Sequence, residues 1–126
     1  MIVCNIKGHS FTFKTNEKCF SPNRIDKGTL AMLSTVEFVE NDKVIDLGCG
    51  YGVVGIVAAK FSSPSNVYML DIDKDSLSYA KENATINNVQ DVNIIESDAF
   101  SNLNETQFNI ILSNPPYHTD FSIAKQ

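Results

Sequence analysis

The stretch Asp46-Leu47-Gly48-Cys49-Gly50-Tyr51-Gly52-Val53-Val54-Gly55 decides the fold. Before it, Val44-Ile45-Asp46-Leu47 is a short apolar run that ends in glycines and reads as a strand. After it, Val53 to Phe61 is apolar with small residues, which suits a helix packed tightly on a sheet. Glycine between the two lets the backbone turn sharply and approach a ligand closely. The helix start beyond the loop offers unpaired N–H groups and a field that favours a negative group.

Two cofactor classes satisfy this loop. Gly50-Tyr51-Gly52-Val53-Val54-Gly55 fits G-x-G-x-x-G, the dinucleotide fingerprint. Asp71 ends the next strand about twenty residues on, where an acid binds ribose hydroxyls. That pairing suits a nicotinamide cofactor. The motif also starts earlier, as D-x-G-x-G through Asp46, Gly48 and Gly50. A carboxylate in the loop repels a pyrophosphate but can face a cationic ligand. S-adenosylmethionine is such a ligand, and its methionine carboxylate suits the helix start. The loop alone leaves both readings open.

Outward from the loop, strands alternate with helices. Asn66 to Leu70 reads as a second strand. Asp73 or Asp75 caps a following helix whose buried stripe is Leu77, Ala80 and Ala84, and Asn87-Asn88 stops it. Val92 to Glu96 and Phe108 to Leu112 read as third and fourth strands. Such alternation predicts an α/β fold with a parallel sheet, covered on both faces. Toward the N-terminus, Ile2-Val3-Cys4-Asn5-Ile6 and Phe11-Thr12-Phe13 flank the turn-like Gly8-His9-Ser10 and predict a β-hairpin. An irregular connector, Glu17 to Lys27, follows. A helix is expected from Gly28 to about Glu40, with Leu30, Leu33 and Val36 as its buried stripe. The organisation is thus an N-terminal hairpin extension over 1–19 and a cofactor-binding domain over 20–126.

Composition narrows the function. The 126 residues suffice for one compact domain. No apolar run approaches the roughly 20 residues of a membrane span, and Met1 to Ser10 lacks the pattern of a signal peptide. Cys4, Cys19 and Cys49 offer neither a disulfide framework nor a C-x-x-C metal pair, which suits a reducing cytoplasm and predicts no metal. The net charge of −5, with ten scattered Lys and Arg, lacks the basic face of a nucleic-acid binder. Any grip on RNA phosphates would come from elsewhere.

Two further stretches carry chemistry. Asp98, in Ser97-Asp98-Ala99-Phe100, follows the third strand, at the ligand crevice of a doubly wound sheet. Its carboxylate can accept from an adenine amine. Asn114-Pro115-Pro116-Tyr117 follows the fourth strand. The prolines end the strand and leave the Pro115 carbonyl free, with the Asn114 side-chain carbonyl beside it. Two acceptors can hold both hydrogens of an –NH2 group, and the Tyr117 ring can stack on a planar partner. An exocyclic amine is a poor nucleophile because its lone pair is shared with the π system. Holding both hydrogens orients the nitrogen toward an electrophilic methyl. His118, adjacent, reads as a surface residue or a proton acceptor, and His9 has no role in chemistry.

In combination these stretches resemble class I S-adenosylmethionine-dependent methyltransferases. Phe20-Ser21-Pro22-Asn23-Arg24-Ile25-Asp26-Lys27-Gly28-Thr29 further resembles the F-S-x-x-x-x-D-x-G-T segment of the "small" methyltransferase family, which includes ribosomal RNA guanine-N2 methyltransferases of the small subunit. The resemblance spans about Phe20 to Phe121. It implies that Gly48, Gly50 and Gly52 line the methionine end of the cofactor and that Asp46 faces its amino group. Asp71 would hold the ribose, Ile72 would pack on the adenine, and Asp98 and Ala99 would meet the adenine amine and ring. Phe20 and Thr29 would close the site. Asn114, Pro115, Pro116 and Tyr117 would hold the target amine.

The resemblance implies a cytoplasmic enzyme acting on ribosomal RNA or the small-subunit particle. A protein glutamine N5-methyltransferase uses the same tetrapeptide on an amide. A cofactor-binding fragment without catalysis and an NAD-dependent oxidoreductase are the other readings. The family's fold has seven strands and this sequence supplies four in the domain, so it looks truncated. Its expected Rossmann-like sheet has parallel order 3-2-1-4. That leaves the apolar fourth strand as an edge, predicting dimerisation through it.

Overall fold

The computed structural model describes residues 1–15 and 25–113, and the backbone of 122–124. The chain opens with a hairpin, β1 (Ile2–Ile6) and β2 (His9–Phe13), paired antiparallel. Its turn is Lys7-Gly8, with φ of 53° and 84°. Positive φ at both positions is the signature of a two-residue turn that matches strand twist. Helix α1 (Lys27–Thr35) follows, then β3 (Val44–Leu47), α2 (Val53–Phe61), β4 (Val67–Asp71), α3 (Lys74–Ile86), β5 (Asn93–Glu96), β6 (Ile110–Ser113) and β7 (Ser122–Ala124).

The main sheet has the order β5-β4-β3-β6-β7. β5, β4, β3 and β6 run parallel, in the expected 3-2-1-4 order. Leu47 lies opposite both Leu70 and Ser113, and Asp71 lies opposite Glu96. The carboxyl ends of all four parallel strands therefore share one rim. β7 pairs antiparallel with β6, Ile111 opposite Ala124 and Ser113 opposite Ser122. This corrects the expectation of a bare fourth-strand edge. The chain covers β6 with its own later residues, which satisfies the ladder groups that a second copy would have used. The basis for dimerisation through that edge is gone.

The larger core lies between one face of the sheet and the hairpin. Phe11, Phe13, Met32, Leu33, Ile56, Val57 and Met69 are fully buried in it. Seven residues of α2, Val53 to Ala59, are buried, because this helix is covered on both sides. The opposite face buries Ile45, Leu70, Phe108 and Ile111. Helix α1 departs from its expected stripe. The Asp26 side chain accepts from Thr29 N–H at 3.2 Å and caps the helix, which ends at Thr35. Thr29, Met32 and Leu33 face inward, while Leu30 is exposed and Val36 already lies past the helix. In α3 the expected stripe is buried, Asp73 is the cap and Asn88 adopts φ 61°. No helix among the described residues is long and apolar enough to cross a membrane.

Candidate functional site

The rim of the sheet collects the loops that follow β3, β4 and β5. After β3 the chain folds over the end of β4, with Gly48 and Cys49 both donating N–H to the Leu70 carbonyl at 2.8 and 2.9 Å. Gly50 N–H donates to Asp71 Oδ2 at 2.9 Å, and Asp73 N–H donates to Asp71 Oδ1 at 2.9 Å. One carboxylate thus ties the glycine loop to the exit of β4. Each oxygen keeps a further lone pair.

The glycines of this loop divide into two sets. A Cβ at Gly48 or Gly50 would meet nothing within 4 Å, so both border open space. Gly52, with φ 107°, caps α2 and faces inward, where a Cβ would lie 2.9 Å from Met69 Cε. Gly55 is tighter still: a Cβ there would collide with Met69 Cγ and lie 2.7 Å from its Sδ. Of the three glycines expected at the ligand, Gly48 and Gly50 border open space at the rim and Gly52 packs the helix onto β4.

Asp46 is turned inward. It is buried, and its Oδ2 accepts from Gly55 N–H at 2.8 Å in the first turn of α2. Burial pushes its carboxyl up from 3.8 to about 7; the Gly55 hydrogen bond opposes this and the nearby Asp71 charge adds to it. Burial likewise pushes the Cys49 thiol well above its ordinary value.

Ile72 is 64% exposed at the exit of β4, an apolar side chain beside the open loop. Asp98 and Ala99 are exposed after β5. Their loop is shaped by Ser97, whose Oγ donates to the Ala99 carbonyl at 2.7 Å and accepts from Asn102 N–H at 3.0 Å. Ala99 adopts φ 51°. Ser97 was not among the expected site residues, though its place before Asp98 was a signal. Thr29 is buried on α1. Phe20, Asn114, Pro115, Pro116, Tyr117 and His118 lie outside the described residues. The chain leaves β6 at Ser113, on the same rim. Among the described residues no group of His, Cys, Asp and Glu could hold a metal ion.

These observations fit an S-adenosyl nucleoside. Two glycines leave space beside a carboxylate that has acceptor capacity to spare, next to an exposed aliphatic residue and a second exposed carboxylate. They fit a pyrophosphate less well, because Asp46 already takes the Gly55 N–H in the first turn of α2, one of the groups a phosphate would use.

A parallel sheet with a glycine loop after its central strand and an acid at the next strand end is a Rossmann-like fold, and the likeness to solved methyltransferases makes it the methyltransferase form. Residues 10–126 match the methyltransferase small domain, and the chain belongs to that family. It is 33% identical over 113 residues to the uncharacterised protein YbxB of Bacillus subtilis, covering 88% of this chain and 56% of that protein. It is 39% identical over 105 residues to ribosomal RNA small subunit methyltransferase C of Haemophilus influenzae, covering 83% of this chain and 31% of that one. Among solved structures it resembles the Thermus thermophilus 16S rRNA N2 G1207 methyltransferase in complex with AdoMet and guanosine. The TM-score is 0.83 at 27% identity, covering 94% of this chain and 33% of that one. The chain therefore spans between about a third and just over half of these relatives.

Proposed function

We propose that this chain is the S-adenosylmethionine-binding part of an N-methyltransferase whose target is an exocyclic amine of a nucleic-acid base, guanine N2 of small-subunit ribosomal RNA. The observation that carries the reading is the shared rim. Asp71, the open Gly48-Gly50 segment and the end of β6 at Ser113 all belong to the carboxyl ends of parallel strands in register. Family membership and the AdoMet and guanosine of the Thermus relative support it.

Bound S-adenosylmethionine supplies an electrophilic methyl group on a sulfonium. Asp71 would accept from the ribose hydroxyls, Ile72 and Ala99 would pack on the adenine, and Asp98 would accept from its amine. Gly48 and Gly50 would give the methionine end close backbone approach. Asn114 Oδ1 and the Pro115 carbonyl would accept both hydrogens of the target amine, with Tyr117 against its ring. Phe20 and Thr29 would close the site. Held there, the cofactor would supply the methyl group; Asn114 and the Pro115 carbonyl would orient the amine nitrogen toward it, and the proton lost from the nitrogen would pass to solvent. The net charge of −5 assigns the phosphate grip to surfaces other than this chain.

Transfer of tritiated methyl from S-adenosylmethionine to undermodified small-subunit ribosomal RNA tests the reading. Label recovered as N2-methylguanosine is expected. Label appearing instead on a glutamine-containing protein substrate, with none on RNA, would move the target from a base to an amide.

A further inference from the structure

Two asparagines on α3, one helical turn apart, are buried: Asn83 at 0% exposure and Asn87 at 5%. Each treats the outer edge of β2 as a neighbouring strand would. Asn87 Oδ1 accepts from Thr12 N–H at 3.0 Å, and its Nδ2 donates to the Thr12 carbonyl at 2.8 Å. Asn83 Oδ1 accepts from Lys14 N–H, and its Nδ2 donates to the Lys14 carbonyl at 3.0 Å. Thr12 and Lys14 are alternate residues, so both point their backbone groups the same way. The two amides complete an edge that would otherwise lack partners.

The pair differs in one bond. The second Nδ2 hydrogen of Asn87 goes to the Asn83 carbonyl of its own helix, at 2.8 Å. That of Asn83 goes to the Tyr51 carbonyl, at 2.8 Å. Tyr51 lies between Gly50, whose N–H holds Asp71, and Gly52, which caps α2. The Phe13 and Tyr51 rings also meet edge to face, with centroids 6.0 Å apart. One buried amide thus bonds the hairpin and the glycine loop at once.

We propose that Asn83 is a positioning residue for cofactor binding: it fixes the peptide between Gly50 and Gly52, and it makes that loop's geometry depend on the docked N-terminal hairpin. The proposal rests on S-adenosylmethionine being the ligand of the loop. Asn83 does not touch the ligand. A buried amide with all its hydrogens engaged holds its partners to one arrangement, and losing it frees the loop from that arrangement.

Asn83→Ala and Asn87→Ala form a matched pair, since each removes one acceptor and two donors from a buried site. Both lower the melting temperature. At a temperature where both are folded, S-adenosylhomocysteine binding by calorimetry should weaken about tenfold or more in Asn83→Ala and change less than about twofold in Asn87→Ala. Without ligand, amide exchange at Gly50 and Gly52 should quicken about tenfold in Asn83→Ala alone. Equal affinities and equal loop exchange in the two variants would overturn the proposal and leave the function intact. A wild-type protein that ignores S-adenosylhomocysteine, while its variants still differ in loop exchange, would overturn the cofactor assignment and keep the mechanical link. If either variant does not fold, exchange at Lys14 N–H in the wild type replaces the comparison. It should slow about tenfold when S-adenosylhomocysteine binds, and an unchanged rate would overturn the link.

Discussion

The first half of the glycine loop and its second half use the same residue for opposite ends. At Gly48 and Gly50 a methyl group would stand in empty space, while at Gly52 and Gly55 it would strike Met69 of β4. The first pair leaves open space at the rim of the sheet. The second pair lets α2 settle onto the strand beneath it, with Asp46 bound to the helix N–H of Gly55. A glycine count in such a motif therefore mixes two requirements, ligand approach and helix–sheet packing. Only the direction of the missing Cβ separates them.

The largest effect that sharpens this division comes from Asp46, at the packed end. Its carboxyl titrates near 3.8 when unfolded and at about 7 in the fold. The folded state therefore binds the proton more tightly, and stability falls as pH rises through that window. The expected loss between about pH 4 and 7 is ~2–4 kcal/mol. Urea midpoints across this range check it, and Asp46→Asn, which keeps an oxygen for Gly55 N–H, should remove the slope. The next effect is Gly55→Ala. The added methyl collides with Met69, and unfolding free energy should drop by about 1–3 kcal/mol, as for other overpacked cores. Gly50→Ala should be smaller in folding, about 1 kcal/mol for a residue at φ 56°. It should instead weaken S-adenosylhomocysteine binding about tenfold, because its methyl stands in the crevice. If Gly50→Ala cost more folding stability than Gly55→Ala and left binding intact, the two halves would have to be exchanged.

Much of this was legible in the sequence, for physical reasons that differ by region. The parallel sheet followed from apolar runs separated by capped helices, and its strand order from the family resemblance. Asp73 and Asn87-Asn88 marked the ends of α3 because their effects are local. Leu30 was misassigned to the core, because a spacing of three fits several helical phases. Leu33 and Val36 are buried as expected, but the helix, capped by Asp26 and ending at Thr35, buries Met32 where Leu30 was expected. β7 was not read at all: three residues, Ser122–Ala124, carry too little pattern to announce a strand. The places of Gly48, Gly50, Asp71 and Ile72 at the rim were legible, because each lies at or just past a strand end. It was not legible at Asn83, whose partners Lys14 and Tyr51 are distant in sequence and use backbone atoms, which no residue type reveals. Nor could a D-x-G-x-G spelling tell that an Asp46 oxygen accepts from the Gly55 N–H of α2.

The proposed function places an S-adenosyl nucleoside at the rim, held through the Asp71 carboxylate. Titration calorimetry with S-adenosylhomocysteine and with NAD, on the wild type and on Asp71→Ala, tests it most directly. The wild type is expected to bind S-adenosylhomocysteine and not NAD, and Asp71→Ala to lose at least about tenfold in affinity, the scale of hydrogen bonds lost at a carboxylate. Binding of NAD in place of S-adenosylhomocysteine, or an affinity unaffected by Asp71→Ala, would contradict it.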